Sequence, residues 1–300
     1  MVWLLDSTLA LTLLATCQTH YGARDIGICI HSREIFSSGY SAYRMKNHTL
    51  LLQALANIPR IEAGDDLTRL IIRVTVDSDN ELRDGDILCL AQKIISKAEG
   101  RVVDLAEVSP SQHAKTLALE IGKDPRLVEL ILSESQEIIA CKPGVIIVEH
   151  HCGVILANAG IDHSNVNDPG GKDVVLLLPK DPDASAKLIH DRLKTLTNKH
   201  IGVIITDSIG RPWRLGTVGL AIGSAGIQTL RDLRGHRDMF GHELRVSETA
   251  DADSLASAAC LLMGEADEAT PIVLIRGYNA RVMDQGARHL LRDKTQDLFR

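Results

Sequence analysis

Apolar and polar positions along most of the chain recur with two periods, one helical and one extended. Leu67, Leu70, Ile71 and Val74 fall at i, i+3, i+4 and i+7, the stripe of an amphipathic helix, and Asp65 and Asp66 stand ready to cap it. Asp84-Gly85 signals a turn, and Asp86–Ala91 is the strand that follows. Ser109-Pro110 predicts an N-cap with proline at the first helical position. The helix after it buries Ala114, Leu117, Ala118 and Ile121 and stops at Gly122. Asp124-Pro125 repeats the device ahead of Leu127, Leu130 and Ile131. Val145–Glu149 and Val154–Asn158 are close enough to form a hairpin, and Val174–Leu178 is a further strand. Asp183 precedes a helix carrying Ile189, Leu193 and Leu196. Ile201, Val203, Ile204 and Ile205 form the β-branched run of a buried strand. A helix with Leu255, Ala259 and Leu262 and a strand at Ile272–Ile275 complete the pattern. Helices and strands mix throughout, with hairpin and crossover connections. The predicted fold is therefore α/β to α+β, a mixed sheet with flanking helices.

Residues 1–44 do not share this patterning. Leu9–Ala15 is apolar but too short to span a bilayer. It also lacks the basic flank of a signal peptide, since Asp6 is the only charge before it. We expect residues 1–44 to be an upstream extension, with the folded domain occupying 45–300 and Met45 a candidate start. A Met1 end retained in the native protein, read by mass spectrometry, would overturn this. Composition narrows the rest. Three hundred residues are enough for a substantial core. A net charge of −6 and few aromatics give no sign of nucleic-acid binding. The six cysteines are scattered with no C-x-x-C pair, which fits reduced thiols in a cytoplasmic protein. His150, His151 and Cys152 are adjacent, but neighbours on a strand point to opposite faces, so a turn is the better reading than a metal site.

Chemistry concentrates in a few loops. The run Ile201–Ile205 breaks into Asp207 and Ser208, then Gly210, Pro212, Arg211 and Arg214, and ligands collect at such strand ends in open α/β sheets. Asp162, in the loop Asn158–Asn165, reads alone as an Asx-turn residue. Paired with Asp207 it becomes a carboxylate partner for a hard divalent cation such as Mg²⁺ or Mn²⁺. Glu265 follows a helix end, where an acid is disfavoured by the dipole, a weak hint of a ligand role. Lys93 and Lys97 share a face, with Arg101 nearby; they could cradle phosphates or form a solvated basic edge. Gly219, Gly223 and Gly226 read as close packing. Neither the Rossmann fingerprint nor the P-loop occurs, and there is no serine elbow.

Taken together, these motifs resemble the coenzyme F420-0:L-glutamate ligase family, where F420 is a deazaflavin redox cofactor. The likeness runs through Ile58–Ile61, Gly64–Leu67, AQKIISKAEGR at Ala91–Arg101, KDPRLVELIL at Lys123–Leu132 and NAGIDHSNV at Asn158–Val166. It continues through Leu177–Ala186, ITDSIGRPWR at Ile205–Arg214, Ala221–Ile227, LLMGEADEATP at Leu261–Pro271 and DLFR at Asp297–Arg300. Residues 1–44 have no counterpart in it. Some bacterial relatives carry an added nitroreductase-like domain at the carboxyl end, and this chain is expected to have ligase chemistry only.

The resemblance implies a GTP-dependent amide ligase that joins L-glutamate to coenzyme F420-0 and then adds γ-linked glutamates. It implies two divalent cations and allows a K⁺ ion. Asp162 and Asp207 match one cation site. Ser208 and Glu265 match the second, with the loop Met263–Thr270 (Met263, Gly264, Ala266, Asp267, Glu268, Ala269 and Thr270 besides Glu265) around the nucleotide. Ile58, Pro59, Arg60, Ile61, Gln92, Lys93, Lys97 and Asn165 match positions contacting GTP. Where the family usually has threonine this chain has Ser208, which keeps the hydroxyl and loses the methyl. Arg211 and Arg214 are candidates for holding acidic substrates, since arginine pairs with carboxylates bidentately. The family also suggests a cytoplasmic homodimer. Two other readings stand beside this one, a metal-dependent GTP phosphohydrolase and a non-catalytic nucleotide-binding module.

Overall fold

The computed structural model describes residues 49–166 and 170–298, so the expected extension at 1–44 lies outside the described residues. The first strand, β1 (Leu51–Ala54), precedes helix α1 (Leu67–Asp77), whose N-cap Asp66 accepts the Arg69 amide at 3.2 Å. Strand β2 (Ile87–Ala91) passes directly into α2 (Gln92–Ala98), followed by β3 (Val102–Asp104) and the helices α3 (Gln112–Ile121) and α4 (Pro125–Ser133). Three strands come next, β4 (Ser135–Lys142), β5 (Val145–His150) and β6 (Ile155–Ala157), then β7 (Val174–Leu176) and the long helix α5 (Pro182–Thr197). The hairpin β8 (Gly202–Gly210) and β9 (Thr217–Ala225) is followed by the short pair β10 (Leu230–Asp232) and β11 (Glu248–Ala250). Helix α6 (Asp251–Met263) and strand β12 (Ile272–Arg276) are the last long elements.

The central sheet has the order β1-β12-β2-β8-β9, with β2 and β8 parallel and every other pair antiparallel. The predicted mixed sheet with flanking helices is what the chain forms. Its two central strands are apolar on both sides because both faces are covered. Leu88, Leu90, Val203 and Ile205 face the layer of α1 and α5, with Ile71, Val74, Ile189 and Leu193. The alternate positions Cys89 and Ile204 face α6, with Leu255, Ala256 and Ala259. A separate three-stranded sheet, β4-β5-β6, packs on α3 and α4 through Ala114, Leu117, Val128, Ile131, Ile146 and Val148. The short pairs β3–β7 and β10–β11 lie outside both sheets.

Several details differ from the sequence reading. Helix α3 is capped by Ser111, whose hydroxyl accepts the Ala114 amide at 3.2 Å, and not by Ser109. Helix α5 is capped by Asp181, which frees Asp183 for a tertiary role: its Oδ1 accepts the amides of Ser224 (2.9 Å) and Ala287 (2.7 Å). Leu196 and Leu262 sit on the solvent side of their helices. Asp207 and Ser208 are not beyond the strand but inside it, because β8 continues to Gly210 by pairing with β9. The proposed packing role of the glycines holds. A Cβ at Gly219 would collide with Cys260 Sγ and the Ala256 carbonyl, and one at Gly223 with the Pro182 carbonyl. His150 ends β5 and His151-Cys152 form a turn, as expected. The four cysteines among the described residues are free thiols.

Candidate functional site

The parallel neighbours β2 and β8 run in register, Ala91 opposite Thr206, so they finish side by side. The next residues of each, Gln92-Lys93 and Asp207-Ser208, are thereby brought together across 115 positions of sequence. Just there β9 carries one extra residue, Ile222, opposite the Ile205–Thr206 step. Such a bulge increases local twist and re-aims the side chains that follow. Two loops close the surround. One is 162–166, anchored by reciprocal backbone bonds between Asp162 and Leu176 (3.0 and 2.9 Å). The other leaves α6 through Gly264, which caps the helix at φ +69. A side chain at Gly264 would also meet the Glu268 carboxylate, which folds back to accept the Ala266 amide at 2.9 Å.

Together these segments border a cleft of about 1200 Å³. It brings together the residues matched to cation and GTP contacts, but not the three arginines Arg101, Arg211 and Arg214. Ile58, Pro59, Arg60 and Ile61 form one edge; Gln92, Lys93 and Lys97 present one helix; Asp162 and Asn165 come from the loop. Asp207 and Ser208 come from β8, and Met263, Gly264, Glu265, Ala266, Asp267, Glu268, Ala269 and Thr270 from the turn after α6. Arg101 does not contribute: its guanidinium points away to Glu134 (2.5 Å) and the Leu178 carbonyl (2.9 Å). Arg211 and Arg214 lie in the β8–β9 loop outside the lining, with Arg211 donating to the Gly216 carbonyl.

One wall is basic and tied by polar contacts. Lys93 Nζ lies 2.6 Å from Asp162 Oδ2 and donates to Ser164 Oγ at 2.7 Å. Lys97 Nζ donates to the Asn165 carbonyl at 2.8 Å, and the Asn165 side-chain amide reaches the Ala266 carbonyl at 3.1 Å, bridging the two loops. Burial works against ionisation of Asp162, yet the Lys93 ammonium and the Ser164 hydroxyl and amide outweigh it and hold its carboxyl below the usual range. Burial, with Lys93 and Arg60 close by, lowers the Lys97 ammonium. The adjoining side, at the end of β8, is acidic. Asp207 is pushed up to about 7, first by burial and then by the Asp162 and Glu265 carboxylates; the Ser208 amide, at 2.9 Å, and Lys93 do not reverse it. Ser208 Oγ donates to Glu265 Oε1 at 2.5 Å.

Among the described residues, no three His, Cys, Asp or Glu side chains converge into a ready-made metal cage. The donor set nevertheless fits a hard divalent cation. Asp162, Asp207, Glu265 and the Ser208 hydroxyl offer only oxygen, and Mg²⁺ takes one or two carboxylates and completes its shell with water and phosphate. The Asp207 carboxyl is raised chiefly by burial, and the Asp162 and Glu265 carboxylates beside it add to that effect.

Compared with known proteins, residues 56–277 match the family described as F420-0:gamma-glutamyl ligase. The chain belongs to this family. Its relatives include proteins named coenzyme F420:L-glutamate ligase from Methanopyrus kandleri, Methanothermobacter thermautotrophicus and Methanocaldococcus jannaschii. The first is 44% identical over 84% of this chain and 98% of its own length. The second is 45% identical over 83% and 98%, and the third 43% over 81% and 94%. The family is one of amide-forming ligases, in agreement with the motif resemblance. The cleft also holds residues that the sequence reading passed over. Cys260 stands one helical turn before Met263 on the same face of α6, a spacing that could have flagged it. Ser164 lies two residues after Asp162 inside the quoted loop motif. Thr206 and Thr217 depend on the hairpin register, which nothing in their neighbourhood announces.

Proposed function

We propose that this protein joins L-glutamate to coenzyme F420-0 at the expense of GTP, through an acyl phosphate, and then adds further γ-linked glutamates. The joining of glutamate to the F420 precursor follows from family membership. The nucleotide and the activated intermediate are the finer reading. The observation that carries it is the pairing of a basic wall, Arg60, Lys93 and Lys97, with an acidic wall, Asp207, Ser208 and Glu265, across one cleft. Phosphoryl transfer is largely positioning and charge neutralisation, which such a cleft supplies.

A carboxylate oxygen of the precursor attacks the γ-phosphorus, the new P–O bond forms, and the bond to the GDP oxygen breaks. Lys93 and Lys97 offset charge on the phosphoryl oxygens during that step. The glutamate amine then attacks the acyl carbon, the C–N bond forms, phosphate departs, and the nitrogen loses a proton. Divalent cations held by Asp162 with Asp207, and by Ser208 with Glu265, would supply Lewis-acid neutralisation of phosphate charge. Arg211 and Arg214, on the loop that leads to the cleft residue Thr217, would receive acidic substrate groups. The exposed Trp213 and Leu215 between β8 and β9, and Met239, Phe240 and Val246 between β10 and β11, support a homodimer as the working state. No helix among the described residues is long and apolar enough to cross a membrane.

Incubating the protein with GTP, Mg²⁺ or Mn²⁺, L-glutamate and coenzyme F420-0, with products read by mass, tests the proposal. The expected outcome is GDP, phosphate and a precursor heavier by glutamyl units, all dependent on glutamate. GTP loss without glutamate would favour a phosphohydrolase. Tight GTP binding without product would favour a non-catalytic module.

A further inference from the structure

Asp162 is the most heavily engaged carboxylate of the cleft. Its Oδ1 accepts both the Ser164 amide and the Ser164 hydroxyl at 2.7 Å, and its Oδ2 lies 2.6 Å from Lys93 Nζ. About four lone-pair positions exist on a carboxylate, so three are taken. Lys93 is equally committed, since its ammonium also donates to Ser164 Oγ at 2.7 Å and to the Ser164 carbonyl at 3.3 Å. Lys93, Asp162 and Ser164 thus form a closed polar ring on one wall. In the same cleft, Asp207 and Glu265 are satisfied only by Ser208 and form no ion pair among the described residues.

A divalent cation on Asp162 would share that carboxylate with an ammonium group in direct contact with it. Two like charges on one carboxylate oppose each other. The ammonium therefore has to be drawn off before the cation is held firmly, and a phosphate oxygen is the acceptor suited to draw it. Lys93 can be reached from the cleft, because its side chain is 27% exposed. Lys97, one turn on, donates to a backbone carbonyl and need not move.

We propose that Lys93 is an internal counter-ion of Asp162 that makes divalent-cation binding depend on nucleotide. The cation alone is held weakly, and it is held tightly only when triphosphate takes over the Lys93 ammonium. Cation and nucleotide therefore load as one unit. This inference rests on reading the cleft as a metal–nucleotide site.

The test uses the full chain and titrates Mn²⁺ by electron paramagnetic resonance and calorimetry, with and without a GTP analogue whose β–γ bridge resists hydrolysis. In the unaltered protein Mn²⁺ alone should bind weakly, and the analogue should tighten it. Lys93→Gln should tighten Mn²⁺ alone by about tenfold or more, the scale on which one adjacent charge alters ion affinity. It should also largely abolish the mutual tightening. Lys93→Arg, which keeps the charge, should stay close to the unaltered protein. Mn²⁺ affinity that is unchanged or weaker in Lys93→Gln, with its melting temperature preserved, overturns the inference. An unaltered protein that binds Mn²⁺ and analogue independently overturns the inference and leaves the proposed function standing. One that binds neither overturns both.

Discussion

Asp162 and Asp207 line the same cleft, and their surroundings drive their carboxyl groups in opposite directions. Burial penalises both charges. Asp162 has a lysine and two further donor contacts around it and is held ionised below the usual range. Asp207 has one amide and two neighbouring carboxylates, and it is pushed up to about 7. The walls also differ in what holds them. The basic wall is tied by polar links, Lys97 to the Asn165 carbonyl and Arg101 to Glu134, the latter at the far end of α2. The acidic wall rests on apolar packing: Val203, Ile204 and Ile205 have no exposed surface, and Gly219 lets α6 lie against β9. A rigid apolar frame thus presents unneutralised charge, while the neutralised charge sits on elements tied by polar contacts.

Substitutions can break this contrast. The largest effect is expected for Asp207→Asn, which should cut amide formation by about 10²–10³-fold or more while the chain stays folded. The same variant tests the electrostatics in metal-free protein. With its folded value above the ordinary carboxylate value of about 3.9, Asp207 keeps a proton in the folded state that the unfolded chain has lost. Stability should therefore fall as pH rises from about 4 to about 7, and no further above that. Melting curves in chelator should show that decline in the unaltered protein and a flatter profile in Asp207→Asn.

Away from the cleft, beyond the end of α2, Glu134→Ala leaves the half-buried Arg101 guanidinium without its carboxylate, and the loss should be about 3 kcal/mol, read by denaturant unfolding. Glu134 itself is held low: burial opposes its charge, but His150 and Arg101 prevail. Its contribution is thus present above the ordinary carboxylate range and lost as pH drops below it. On the acidic wall, Gly219→Ala should cost about 1–3 kcal/mol through collision with Cys260 and Ala256, with no dependence on salt. The smallest change is expected for Ser208→Ala. Losing the hydroxyl that Glu265 accepts should lower turnover about tenfold, and Ser208→Thr, which keeps it, should retain most of the activity.

The elements that show one clean period were legible in the sequence. The stripe Leu67, Leu70, Ile71 and Val74 and the run Ile201–Ile205 each announce their partners by burial alone. Strand β4 was not foreseen, because Ser135–Lys142 is mostly exposed and its pairing with β5 is broken by irregularities in register. The caps moved by two residues at Ser111 and Asp181, since several competent hydroxyls or carboxylates stand together and only the backbone path chooses among them. The site was legible as a set of residues through the family resemblance, and all of those residues line one cleft. Their division into a neutralised and an unneutralised wall was not. It arises from the parallel register of β2 and β8 and from the Lys93–Asp162 contact, which connect distant parts of the chain. Arg101 misled the reading because its nearness in sequence to Lys97 says nothing of its direction once α2 has ended.

The position of β12 gives the cleft a history in time. The last strand is inserted between β1, the first, and β2, so neither of those early strands has its central neighbour until residue 276 has been made. Contacts of such long sequence separation form slowly, because a long loop must close before any pairing rewards it. During synthesis β2 can pair early only with β8, and the loop after α6, which ends at β12, has no anchor. The cleft therefore assembles late, after β12 has been made. An interrupted chain would contain nearly all of the site residues in a form unable to hold them together.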